Sequence, residues 1–126
     1  MSSTSLWVQT AAVAAGGAIG SAGRFLVSIA ARKLSSWSIT VDAVIGTFAV
    51  NLIGSFAIGL LAAWFLNQAD DRMTLRLFLI TGILGGFTTF SAFSLETLDL
   101  VHEHRIGAAV AYALGSVVLG LVLALV

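Results

Sequence analysis

Within a long apolar stretch of the chain, Thr47, Asn51 and Ser55 recur every fourth residue. That spacing sets all three on one face of a helix. Near the C-terminus Tyr112 and Ser116 repeat the interval, and Gly120 breaks it. Each of these polar side chains offers a hydrogen-bond donor without a fixed positive charge. Asn51 stands near the middle of its apolar stretch, where an unpaired amide is costly, so it must face protein or water. Two readings fit it: glue between helices, or a lining whose N–H groups replace the water around a desolvated anion. Hydroxyl ladders on two helices would together line a narrow track.

Residues 82–94 read Gly-Ile-Leu-Gly-Gly-Phe-Thr-Thr-Phe-Ser-Ala-Phe-Ser. Paired glycines followed by β-branched threonines are poor helix formers. A helix break is expected there, leaving freed carbonyls that need partners. Converging carbonyls would hold a cation; a water-filled kink is the plainer alternative. Phe90 and Phe93 lie three residues apart just past the break. Such pairs often only pack, yet the positive edge of an aromatic ring can meet an anion without trapping it. Farther upstream Gly16, Gly20 and Arg24 fall at four-residue intervals beside Gly17 and Ser21. The glycines read as a helix-packing stripe. Arg24 either snorkels to the interface or lines a wet vestibule that draws in anions.

Other chemistry is thin. His102 and His104 flank Glu103 at a spacing that does not share a helix face, and read as a solvated loop. Glu96 and Asp99 read as a solvated cap on the preceding span. No nucleophile–base constellation, phosphate loop or zinc signature occurs, so nothing points to an enzyme.

The elements that must position these residues are membrane spans. Of 126 residues, 59% are hydrophobic and only 10% charged, with a mean hydropathy of +1.05. A soluble domain needs about 25% charged residues to cover its surface. Soluble globular, disordered and nucleic-acid-binding classes are thereby excluded, and six basic residues cancel six acidic ones. Four stretches reach the roughly 20 apolar residues a spanning helix requires: about 6–31, 43–66, 77–95 and 106–126. Their connections are too short to fold separately, so 1–126 reads as one four-helix transmembrane domain. Residues 1–9 hold no Lys or Arg, unlike a signal peptide, and the first span is expected to be retained. With an even number of spans, Arg72 and Arg76 lie on one side of the membrane and Arg32, Lys33 and Arg105 on the other. Three against two barely orients the chain. Insertion in both directions, with two opposed copies pairing, competes with a single fixed topology.

Three motifs occur in order: Gly16-Gly17-Ala-Ile-Gly20-Ser-Ala-Gly-Arg24-Phe25, Gly46-Thr47-Phe-Ala-Val-Asn51-Leu-Ile-Gly54, and Gly82-Ile-Leu-Gly85-Gly86-Phe-Thr88-Thr89-Phe90-Ser91-Ala-Phe93-Ser94-Leu-Glu96. In a four-span chain of this length they closely resemble the Fluc (CrcB-type) fluoride channels. The likeness covers essentially the whole chain, and the third motif is its most specific part. It implies an all-α protein of four transmembrane helices with a broken third helix, assembled as an antiparallel, dual-topology homodimer with two pores. Such a protein sits in the inner (plasma) membrane among lipid and exports fluoride passively from the cytoplasm, protecting the cell; no nucleic acid is involved. The resemblance further implies a structural sodium ion at the dimer centre, held by the backbone carbonyls of Gly85 and Thr88 from each copy. Phe90 and Phe93 match the family's phenylalanine box, Asn51 its pore asparagine, and Tyr112 and Ser116 its fourth-helix polar track. The next track position usually carries a hydroxyl and here is Gly120. Arg24 matches a vestibule arginine, and Thr47, Thr89 and Ser91 complete the expected pore set. A proton-coupled drug antiporter would need a carboxylate within a span, and none of the four stretches holds an acid. A non-transporting scaffold would leave Asn51 and the hydroxyl ladders without a purpose.

Overall fold

The computed structural model describes residues 5–35, 37–66, 68 and 72–125. Helix α1 runs Leu6–Ser35 and α2 Ile39–Leu66. The third span opens with α3, Met73–Arg76, and continues as a π-helical stretch, Leu77–Leu84, into the single turn α4, Gly85–Phe87. It resumes after a break as α5, Phe90–His102, and α6 spans Ile106–Ala124. Among the described residues, four helical runs are long and apolar enough to cross a membrane: Leu6–Leu34, Ile39–Leu66, Met73–His102 and Ile106–Ala124.

The helices outrun the spans expected at 6–31, 43–66 and 77–95. Hydropathy marks only the part in hydrocarbon, whereas the backbone ladder continues into the interfacial turns. Arg32 and Lys33 thus close the last turn of α1, favourable for its dipole. Trp7, Trp37 and Trp64 lie exposed towards helix ends, where an aromatic belt meets the headgroups. The Arg72 guanidinium sits 5.4 Å from the Trp64 ring centre. The connection expected at 96–105 is mostly helix, since α5 reaches His102 before the chain turns through His104, whose φ is 58°. Val126, the last residue of the fourth expected span, lies outside the described residues.

Helix α1 packs against the π-helical stretch and α4 backbone to backbone. A Cβ on Gly16 would lie 2.9 Å from Gly82 Cα, and one on Gly20 would strike the Ile83 carbonyl oxygen. One on Gly86 would come 2.5 Å from the Gly17 carbonyl oxygen. Lipid tails are as apolar as the helices, so close van der Waals approach replaces hydrophobic drive here. Nothing in the residue types of 77–84 marks a π-helix rather than an α-helix. Helix α6 meets α2 similarly: a Cβ on Gly59 would stand 2.6 Å from the Ala124 carbonyl oxygen. Between α2, α5 and α6 lies a small core of Leu100, Ala109 and Tyr112, flanked by Phe48 and Phe93.

Candidate functional site

The expected break falls at Thr88 and Thr89, both extended, with ψ of 158° and 121°. Asn51 closes it like a clamp. Its Nδ2 donates to the Thr89 carbonyl at 3.1 Å, and its Oδ1 accepts from Thr89 N–H at 2.9 Å. Thr89 Oγ1 then caps α5 by accepting from Ala92 N–H at 3.2 Å. In an unbroken helix Thr89 N–H would serve the Gly85 carbonyl, and Ala92 N–H the Thr88 carbonyl. Both donors are diverted to side chains, so the break strips these two carbonyls of their regular helical partners. The intervening Gly86 carbonyl accepts from Arg24 Nε at 3.2 Å and Ser21 Oγ at 3.4 Å. Leu84 O takes both the backbone N–H and the hydroxyl of Thr88 at 2.9 Å.

One turn and a half into α5, three helices converge on Glu96. Its Oε1 accepts from Thr47 Oγ1 on α2 at 2.6 Å, and its Oε2 from Tyr112 O–H on α6 at 2.7 Å. The residue is only 7% exposed. This overturns the solvated cap: burial brings the carboxyl to hydroxyl donors on two other helices, as buried polar groups require. A hydroxyl has a single O–H, so Thr47 and Tyr112 point theirs at Glu96. Glu96 is the residue sequence reasoning missed. Its signal was the spacing from Thr89, which keeps it near the break's side of α5, together with its position just inside the third span.

Donors remain elsewhere on the same faces. Asn51 uses one amide N–H on Thr89, and its second meets no described residue. Ser116 Oγ is buried without a hydrogen-bond partner among the described residues. Ser91 Oγ shares a hydrogen bond with Thr89 Oγ1 at 3.2 Å. An aromatic chain runs past them. Phe90 and Phe93 ring centres are 5.4 Å apart, Phe93 and Tyr112 5.2 Å, and Tyr112 and Phe48 6.2 Å. Phe90, at 78% exposure, projects from the chain.

Two cavities flank the clamp, and Thr89 lines both. One, of about 370 Å³, is bordered by Arg24, Arg32, Thr47 and Glu96. The other, of about 320 Å³, is bordered by Asn51, Ser55, Gly85, Thr88 and Phe90. The cations stand on the first alone. Of the expected site residues, the fold sets Arg24 and Thr47 on one side of the break and Gly85, Thr88 and Phe90 on the other, while Ser91, Phe93, Tyr112 and Ser116 border neither cavity. Asn51 and Thr89 lie between them. Such an arrangement can concentrate an anion at a basic mouth and then offer it neutral donors.

Residues 11–126 match the family described as "CrcB-like protein, Camphor Resistance (CrcB)". The chain is 47% identical over 116 residues to a Methylobacillus flagellatus protein named "Fluoride-specific ion channel FluC", covering 91% of this chain and 88% of that one. A protein of the same name from Novosphingobium aromaticivorans is 50% identical over 117 residues, covering 88% and 86%. Another, from Paracoccus denitrificans, is 49% identical over 109 residues, covering 86% and 82%.

Proposed function

The chain belongs to the CrcB-like family, and on that premise we propose that it is a fluoride-specific ion channel of the inner membrane. It is a multi-pass channel and not an enzyme. The observation that carries the reading is the set of uncharged donors left open beside the break, namely Ser116 Oγ and the second amide N–H of Asn51. Fluoride is small and strongly hydrated, so a conducting path must replace its water with donors that also release it. A neutral hydroxyl or amide does this, and a fixed ammonium in the narrow part would bind too firmly.

Arg24 gathers the anion at the mouth. Asn51, Thr89, Ser91 and Ser116 then receive it, with the ring edges of Phe90 and Phe93 alongside. Thr47 and Tyr112 set the path's wall through Glu96. Transport is passive. Hydrogen fluoride enters a cell neutral and ionises inside, and a negative interior drives the anion out at about 2.3 kcal/mol per charge per 100 mV. Export protects the cell.

The working unit is two oppositely inserted copies, enclosing two pores. The near-balanced loop charges support this, as do the exposed Phe90 ring and the cavity beside it, which a single chain leaves open. The residues fit a sodium ion at the centre: the Gly85 and Thr88 carbonyls have lost their helical donors, and hard cations take oxygen ligands. Two carbonyls from each of two copies would hold it, and it would supply structural positive charge between the third spans.

The test is efflux from liposomes reconstituted with the purified chain. A fluoride electrode should record release down a fluoride gradient, and no chloride should pass under the same conditions. Absent fluoride release, or equal chloride release, ends the proposal.

A further inference from the structure

Of the ribbon on α2, Thr47 is engaged by Glu96 and Asn51 by Thr89, whereas no hydrogen bond joins Ser55 Oγ to another described residue. Ser55 is half-buried and lines the cavity that holds Asn51, Thr88 and Phe90. Across from it, α6 carries Tyr112 and Ser116 one turn apart, with the buried Ser116 hydroxyl also unpartnered. One further turn along, about 6 Å by helix rise, the ladder stops at Gly120. A Cβ there would lie 3.3 Å from Ser55 Oγ. At the level where α6 runs out of hydroxyls, the α2 hydroxyl therefore fills the position beside it. The missing side chain at 120 is what lets it approach.

A buried hydroxyl left without a protein partner is usually completed by water or an ion. Here the buried Ser116 hydroxyl and the half-buried Ser55 hydroxyl, neither with a partner among the described residues, follow one another along the junction of α2 and α6. We propose that Ser55 Oγ is a fluoride-contacting donor of the conduction path, standing in for the side chain that α6 lacks at Gly120. The inference rests on the channel reading above. The hydroxyl rotates to offer one O–H without charge, a site that holds an anion briefly and lets it go. The path thus crosses from α6 to α2 beyond Ser116.

Fluoride efflux from liposomes tests this with Ser55→Thr and Ser55→Val, which match in volume and differ in the hydroxyl. Loss of a hydrogen bond to an anion should make the valine variant about tenfold slower than the threonine variant. Ser55→Ala should be slowed comparably, and adding Gly120→Ser to it should restore most of the loss by returning a hydroxyl from the facing helix. Gel-filtration profiles and thermal unfolding of all variants verify that the compared proteins are folded. Equal rates for the threonine and valine variants overturn the assignment of Ser55, as does a folded Ser55→Ala chain that empties vesicles at the wild-type rate. A wild-type chain that releases no fluoride instead removes the channel reading beneath it.

Discussion

On one flank the third span meets α1 through glycines whose backbones touch, with Gly16 against Gly82 and Gly20 against Ile83 and Phe87. On the other it meets α2 and α6 through side chains, Thr47 and Tyr112 both donating to Glu96. Both contacts form without a hydrophobic drive. The first removes side chains until backbones interlock, leaving little room for another ligand or arrangement. The second pairs donors with acceptors, and next to it lie donors still open. The contrast separates two tasks that one span must combine. The glycine seam fixes where the break stands, and the polar junction supplies chemistry that an ion can use.

Breaking the seam should have the largest effect. Gly20→Leu sets a branched side chain into the Ile83 carbonyl and Phe87 N–H, and no folded protein should be recovered in a size-exclusion profile. Gly17→Ala, whose Cβ meets nothing within 4 Å, should yield folded protein. If both variants behave alike, the seam is not the rigid partner in the comparison.

Next comes the clamp. Asn51→Ala orphans Thr89 N–H, at about 1–3 kcal/mol for a buried group. It also takes one donor from the Thr89 C=O, which as the N-cap carbonyl of α5 keeps the first intrahelical bond. Thermal stability should fall, and fluoride efflux should slow by at least about tenfold. Wild-type flux in the folded variant would take Asn51 out of the path.

A smaller change is expected at the rings. Phe93→Ile removes contacts with Phe90 and Tyr112, worth about 0.5–1.5 kcal/mol per aromatic pair. Efflux should fall severalfold while the elution profile in detergent matches that of the wild-type chain; unchanged efflux would make the pair mere packing. The smallest effect belongs to single bonds at Glu96. Tyr112→Phe should lower unfolding stability by only about 0.6 kcal/mol, the average for hydrogen bonds between membrane helices. A loss near that of Gly20→Leu would mean that the polar junction, not the seam, holds the span.

Much of this could be read before any coordinates. The break at Thr88 and Thr89 followed from Gly85-Gly86 and two β-branched residues, because propensity acts locally. The helical faces of Thr47, Asn51 and Ser55 followed from four-residue spacing alone. Glu96 misled: at the edge of an apolar run it reads as interfacial, and only the extension of α5 to His102 carries it into the protein. The π-helical turn at 77–84 left no trace in residue types, since an extra residue per turn depends on what the helix packs against.

Span number, the break and the polar faces were thus determined by hydropathy, propensity and periodicity, which neighbouring residues decide among themselves. Which donors are occupied and which stay open was decided by the fold. Thr47 finds its acceptor 49 residues away and Asn51 its clamp 38 residues away, and Ser55 meets a glycine on another helix. A hydrogen bond forms only within about 3 Å, and over such separations only packing brings two groups that close.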